Sequence, residues 1–448
     1  MRSRIGSVWL IAFVCSFFAT LAAAGPLPTI EWTRQQGPPQ SLATISVSAD
    51  GLGNVVIAGF AGESLNPNVE GSSHATVTKY DEAGNLLWSA NQDSGGGSAA
   101  SSVSADRLGN IFVTGGTTGT QSNPIGPDDG YVTKYSASGQ LQWTNRLPTE
   151  SGTINSGNSA SADGLGNVYV GSNYRVIGNS SQDFGFLSKY DPSGNIVWSK
   201  NPLLSDGSVP GCGAVAADGS GHIYLTGTNF ALGHELTYLS SYDSNGNVAW
   251  TTTFGSSGDF ANSVAADRFG NVYVAGSVND SVTRLLDASL TKFDSAGHLL
   301  WTRTFATGHG ADNQGKGVSV DLAGNAYLSG YSSQSSYLLR YDSAGNLVWN
   351  LGLGNPMTQF DVWFGVAVDG FHDGRVFASG TLGVSPGVFT GFVSAITVPE
   401  PSTLSLAVVG LLALIATTWL RPLRQIRLAT HRPLRCQGSR NLAAPTAD

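Results

Sequence analysis

Aspartate, tryptophan and histidine are the residues of this chain whose chemistry could carry a function, and two of the three recur at a regular spacing. Aspartates stand at Asp50, Asp106, Asp163, Asp218, Asp267, Asp321 and Asp369. Tryptophans stand at Trp32, Trp88, Trp143, Trp198, Trp250, Trp301 and Trp349. Both series have seven members, 48 to 57 residues apart. An aspartate followed by Gly-Asn offers hard oxygens, as in Asp81-Glu82-Ala83-Gly84-Asn85 and Asp191-Pro192-Ser193-Gly194-Asn195. Calcium needs six to eight oxygens, and one short turn supplies about three. The same pattern is a β-turn, in which Asp accepts backbone N–H bonds and Gly supplies the positive φ. The tryptophans could stack on sugar rings. One Trp at the same place in every repeat reads first as core packing, because a binding site is rarely sevenfold symmetric. Trp363 lies outside the series, before a first strand, and is the better candidate for an exposed contact.

No catalytic constellation emerges from the remaining groups. His74, His222, His234, His298, His309 and His372 stand in no nucleophile elbow and in no His-Glu-x-x-His spacing. His222 and His298 occupy slots where other repeats carry Asn, which makes them turn residues. Gly95-Gly96-Gly97 has no Lys after it and is no phosphate loop. Of Cys15, Cys212 and Cys436, only Cys212 lies in the repeat region, so neither a disulfide framework nor a Cys metal site is expected. Neither a cofactor nor a metal is expected.

The elements that carry these residues are short strands. In the copy beginning at Gly317, alternating apolar residues mark GVSVD, AYLSGY, YLLRYD and LVWNL, separated by two Gly-Asn turns and one Ser-rich loop. Four antiparallel strands per repeat make one propeller blade. The strand of Ile30-Glu31-Trp32-Thr33 precedes any complete repeat, and the last repeat, 365–396, has no Trp strand. The first strand therefore completes the last blade and removes free edges. The expected fold class is all-β: a seven-bladed β-propeller of four-stranded blades over 25–397, closed by the N-terminal strand.

The motif Val264-x-x-Asp267-x-x-Gly270-Asn271-x-Tyr273-Val274-x-Gly276, followed by Lys292-Phe293-Asp294-x-x-Gly297-x-x-x-Trp301, resembles the bacterial β-propeller repeat family called SBBP. The resemblance covers nearly all of 25–397. It implies a fold and a secreted or surface setting, with no single activity. Quinoprotein dehydrogenases also carry a Gly turn leading to a Trp strand, as in Tyr341-Asp342-x-x-Gly345-x-x-x-Trp349. Those enzymes need adjacent cysteines or a calcium–carboxylate cluster over the quinone, and usually eight blades; a single propeller cysteine and seven expected blades exclude them here.

The chain of 448 residues carries a formal charge of -8, unevenly placed. Eight arginines lie at the two ends, leaving 15 basic and 29 acidic residues in 25–397, a net of -14. Such an acidic body argues against nucleic-acid binding. Residues 1–24 read as a signal peptide: Arg2 and Arg4, an apolar run over 8–21, then Ala22-Ala23-Ala24 before Gly25. At the other end, Val398-Pro399-Glu400-Pro401-Ser402 precedes an apolar run over 404–420, with Arg421, Arg424 and Arg427 behind it. That run is long enough for one transmembrane helix, with the basic tail 428–448 cytoplasmic. The order of parts over 398–427 resembles the PEP-CTERM sorting signal of Gram-negative bacteria. The resemblance implies transient anchoring in the inner membrane, an exosortase-type membrane protease as partner, cleavage near Pro399, Glu400 and Pro401, and passage to the cell surface or extracellular matrix.

The function this reading favours is an exported, non-enzymatic binding or scaffold module for exopolysaccharide or surface proteins. Variable segments after the second strands (61–73, 117–130, 174–183, 229–235, 278–286 and 332–336) would present the recognition residues on a rigid frame. The alternative is a propeller-class lyase or glycosidase acting on exopolysaccharide, which would need paired carboxylates across the central mouth.

Overall fold

Alternation at period two produces twenty-eight strands among the described residues. The computed structural model describes residues 27–36, 41–62, 73–92, 97–118, 129–150, 152–176, 184–229, 236–307, 312–332, 335–353, 361–370, 374–385 and 388–398. The expected signal peptide, the Pro399-Glu400-Pro401 motif, the apolar span and the basic tail lie outside them, as do most of the variable segments. Among the described residues no helix is long and apolar enough to cross a membrane.

The strands form seven four-stranded antiparallel sheets. Six sheets are built from consecutive strands, within 41–92, 97–146, 153–200, 214–254, 260–305 and 313–353. The seventh takes Asp361–Val368, Val376–Ser385 and Val388–Thr397 from one end of the chain and Thr29–Gln35 from the other. Their register runs from Thr29 against Thr397 to Gln35 against Phe392, with a shift between Ile30 and Trp32. First strands of neighbouring blades touch all the way round, the last against the first, so the ring is closed. The protein is a seven-bladed β-propeller, all-β, sealed by its N-terminal strand.

Burial follows position within the blade. Second strands are covered on both faces: Val55, Val56, Ile57 and Ala58 are fully buried. Fourth strands alternate between exposed and half-buried, as in Leu299–Phe305 at the outer rim. The core lies between blades rather than within them. One cluster joins Val56, Ala58 and Val77 of the first blade to Val103, Ile111 and Tyr131 of the second. Burying such apolar faces contributes roughly 25 cal/mol per Å².

The seven tryptophans sit on the outer strands and reach the next blade. The indole N–H donates to a turn carbonyl there: Trp32 to Glu82 (2.9 Å), Trp88 to Ala137 (3.0 Å), Trp143 to Pro192 (3.2 Å), Trp198 to Ser244 (3.1 Å) and Trp250 to Ser295 (3.0 Å). Each ring lies over the glycine of that turn. At Gly194, with φ at 89°, a Cβ would stand 2.8 Å from the Trp143 ring, so both conformation and contact demand glycine. Trp301 lies likewise over Gly345. Trp349 meets no such turn, because the last blade has the two chain ends where the others have a hairpin. It packs instead with Tyr327, Phe392 and Ile396, and Val398 lies against the same cluster.

Trp363 departs from its expected place. It lies within the first strand of the last blade, paired with Gly380, rather than before that strand. Its side chain lies outside the described residues.

Candidate binding site at the mouth of the central channel

The seven first strands line the axis of the ring, and each is the inner edge of its sheet. An edge strand leaves alternate backbone N–H groups without a sheet partner. Serines of the preceding blade cap many of them. Ser46 and Ser48 accept from the N–H of Val103 (3.1 Å) and Ala105 (3.0 Å). Ser102 and Ser104 accept from Ala160 (3.1 Å) and Ala162 (3.0 Å), and Ser159 and Ser161 from Val215 (3.0 Å) and Ala217 (2.9 Å). Ser263 serves Val318 (3.2 Å) and Ser319 serves Val368 (3.1 Å).

At the lower end of the channel the strands finish on the aspartate series. Six of these residues make the same turn. Asp106 is typical: Oδ1 accepts from the N–H of Leu108 (2.9 Å) and Asn110 (2.8 Å), and Oδ2 from the Asn110 amide (2.8 Å). Asp50, Asp163, Asp267 and Asp321 repeat it with Asn54, Asn167, Asn271 and Asn325. At Asp218, His222 takes the place of Asn, its Nδ1 at 2.7 Å from Oδ2. His298 does the same for Asp294 in a second-type turn, at 2.9 Å. Asp369 instead accepts from the N–H of Gly53 (2.9 Å), joining the last blade to the first. Asp50 also meets the Lys79 ammonium at 2.9 Å, both side chains almost wholly buried. A cavity of about 160 Å³ lies among Asp50, Asp106, Asp163, Asp218 and Asp369 at this mouth.

The outer turns behave alike. Asp81 and Asp191 accept two N–H groups and an Asn amide, and the amide bond is the leading cause of their lowered carboxyl pKa. Among the described residues no group of three or more His, Cys, Asp and Glu is placed to hold a metal ion. Cys212 is buried, and burial pushes its thiol up to about 12.

The upper end of the channel differs from blade to blade. Six first strands contain a β-bulge that skips one residue: Ile45, Ser101, Asn158, Asn262, Lys316 and Phe364. In the remaining blade Gly213 takes that place. A bulge turns its extra residue away from the sheet register. All seven residues border one cavity of about 340 Å³ on the axis. Asn158 donates to the Cys212 carbonyl (2.9 Å) and Asn262 to the Gly315 carbonyl (2.8 Å), each bridging to the next blade. The Lys316 ammonium lies 5.7 Å from the centre of the Tyr331 ring. Burial lowers the pKa of Lys316. Among the described residues no carboxylate lies within ion-pairing distance of it.

The bulges sit near the middle of the first strands, so this cavity lies within the channel, between the aspartate mouth and the face where second strands end. The variable segments expected from sequence follow the second strands in the chain, and most of them lie outside the described residues. The bulge residues are not among the candidates that the repeat pattern singles out. Their signal is the position five before each repeat aspartate, where Ile, Ser, Asn, Gly, Asn, Lys and Phe succeed one another inside otherwise similar strands.

Residues 249–280 match the family model described as a β-propeller repeat, SBBP. An uncharacterized WD repeat-containing protein of Acanthamoeba polyphaga mimivirus is 22% identical over 80% of this chain. The chain spans 36% of the length of that curated relative. Among solved structures, a protein of unknown function from Dyadobacter fermentans is 11% identical, with 84% of this chain and 100% of that one covered and a TM-score of 0.48. Sqt1 from Chaetomium thermophilum is 12% identical, with 80% and 95% covered and a TM-score of 0.46. The β-propeller domain of the Trilobed protease from Pyrococcus furiosus is 7% identical, with 82% and 94% covered and a TM-score of 0.45.

Proposed function

We propose that this propeller is an exported, non-enzymatic binding or scaffold module of the cell surface or extracellular matrix, and that it binds through the upper mouth of its channel. The observation that carries the reading is the bulge ring. A frame repeated seven times makes the same inner turn in six of its blades, yet presents residues of different chemistry around a single 340 Å³ cavity. Variation confined to one mouth of a rigid scaffold is the arrangement of a recognition surface. The carboxylates of the opposite mouth support a non-enzymatic role, since their oxygens hold turn N–H groups and amides rather than facing one another across a substrate.

The chain ends supply the address. The 1–24 segment directs export, and the Pro399-Glu400-Pro401 motif with its apolar run and arginines directs sorting by an exosortase-type protease. The partners on this reading are that protease, then exopolysaccharide or other surface proteins. Purified 25–397 is expected to bind a subset of polysaccharides on a glycan array and to release no reducing sugar from them. Sugar release would favour the propeller-class enzyme. Protein recovered from the surface fraction of the source cell should have an intact mass ending near Pro401; a full-length chain confined to the inner membrane would point to a plain anchor.

A further inference from the structure

We propose that the sector of the upper mouth between the sixth, seventh and first blades is an oxyanion site, and that its natural occupant is a carboxylate of an acidic glycan. The assignment rests on the binding-module reading and names its ligand class. Two independent features converge there.

The first is Lys316. A bulge turns it out of the strand register at the cavity wall, and its ammonium rests on the Tyr331 face. A half-buried ammonium that no carboxylate among the described residues pairs favours an anionic ligand. The body around it is acidic, so this cation is not part of a general basic surface.

The second is the interruption of the serine caps. Blades that carry Ser46, Ser102, Ser159 or Ser263 cover the edge N–H of the next blade. The cap is also missing at Ala214 of the fourth blade, but only in the sixth and seventh are two successive cap residues replaced, by Gly317 and Gly365. A Cβ at Gly317 would stand 3.1 Å from the Val366 nitrogen, and one at Gly365 would stand 3.3 Å from the Val47 nitrogen. Among the described residues no serine covers these two N–H groups. They and Lys316 border the same cavity. Two backbone donors and one lysine on the wall of a single cavity suit the oxygens of a carboxylate, or those of phosphate or sulfate.

Calorimetric titration of the full-length protein in detergent separates the sources. Glucuronate, inorganic phosphate, sulfate and glucose are titrated in turn into wild type and Lys316→Met. Binding of glucuronate at millimolar or better affinity, weakened at least tenfold in Lys316→Met and absent for glucose, is the expected result. Equal binding of phosphate and sulfate would keep the oxyanion site and remove the glycan assignment. Equal binding by wild type and variant, or binding of glucose as tight as glucuronate, overturns the proposal. So does a wild type that binds none of the anions, while a positive glycan array would leave the broader binding role standing. A second measurement needs no variant: saturating glucuronate should slow acetylation of Lys316 in the wild type, read by peptide mass, and glucose should not. An unchanged Lys316 labelling rate overturns the proposal.

Discussion

The hydroxyls of Thr33 and Ser394 lie 2.8 Å apart, although 361 residues separate them in the chain. Five of the other six blades carry the same pair between their third and fourth strands, within one hairpin; the sixth blade has Leu339 opposite Asn350 instead. Thr78 meets Ser89 (3.0 Å), Thr133 meets Thr144 (3.1 Å), Ser188 meets Ser199 (2.8 Å), Ser240 meets Thr251 (2.9 Å) and Thr291 meets Thr302 (3.2 Å). The N-terminal strand therefore enters the last blade in the register of the other fourth strands. Gln36 extends the seal: its amide donates to Thr78 (2.8 Å), and its side-chain oxygen accepts from Thr44 (3.2 Å), both in the first blade.

Deleting 30–34 should open the ring. The deletion removes Trp32, its bond to Glu82, and the whole outer ladder of the last blade. Trp32 is half-buried, so its loss alone should cost about 3 kcal/mol, the low end for buried tryptophans. Denaturant melts check this, and a deletion variant with the wild-type midpoint would show that the strand does not close the ring.

The Asp50–Lys79 pair should be asymmetric. Asp50→Ala leaves a buried ammonium without its carboxylate, at a cost of about 3–5 kcal/mol. Lys79→Met leaves Asp50 still bonded to Leu52, Asn54 and the Asn54 amide, and should cost far less. Equal destabilisation by the two variants in urea melts would refute the asymmetry.

The serine caps should be transferable. Ser159→Ala leaves the Val215 N–H buried and unpaired, for a loss of about 1–3 kcal/mol. Ala214 occupies the equivalent place in the fourth blade, opposite the Val264 N–H. Ala214→Ser should restore the missing cap and gain about 0.5–1.5 kcal/mol. Thermal melts of both variants test the sign, and a destabilised Ala214→Ser would mean the cap geometry does not carry over.

High pH should unfold the protein cooperatively. Burial pushes Cys212 from 9.0 to about 12 and raises Tyr131, Tyr190, Tyr238, Tyr242 and Tyr337 as well. These groups bind their protons more tightly when folded. Their contribution to stability is complete below the unfolded values near 9 and 10, and is lost as pH rises through the higher folded values. Thirteen of the fourteen tyrosines are buried and Tyr331 is half-buried, so tyrosinate absorbance should appear late, together with loss of strand circular dichroism. Titration of all tyrosines near pH 10 with the fold intact would contradict this burial.

The sequence by itself determined the repeat, and through it the blades, the turns and the closure. These follow from local physics: strand alternation at period two, Asp-x-x-Gly-Asn turns that complete themselves within five residues, and a Trp strand displaced to the front of the chain. His222 and His298 were legible as turn residues because their Asn counterparts stand in the same slot. The tertiary structure alone decided which residues face the axis. Lys316, Asn262 and Phe364 belong to different blades, and only ring closure brings them to one mouth. The bulge that aims each of them depends on the pairing register of a neighbouring strand, which alternation does not specify. The serine caps were hidden for the same reason: Ser159 and Val215 lie 56 residues apart, and their bond exists because neighbouring blades are packed side by side.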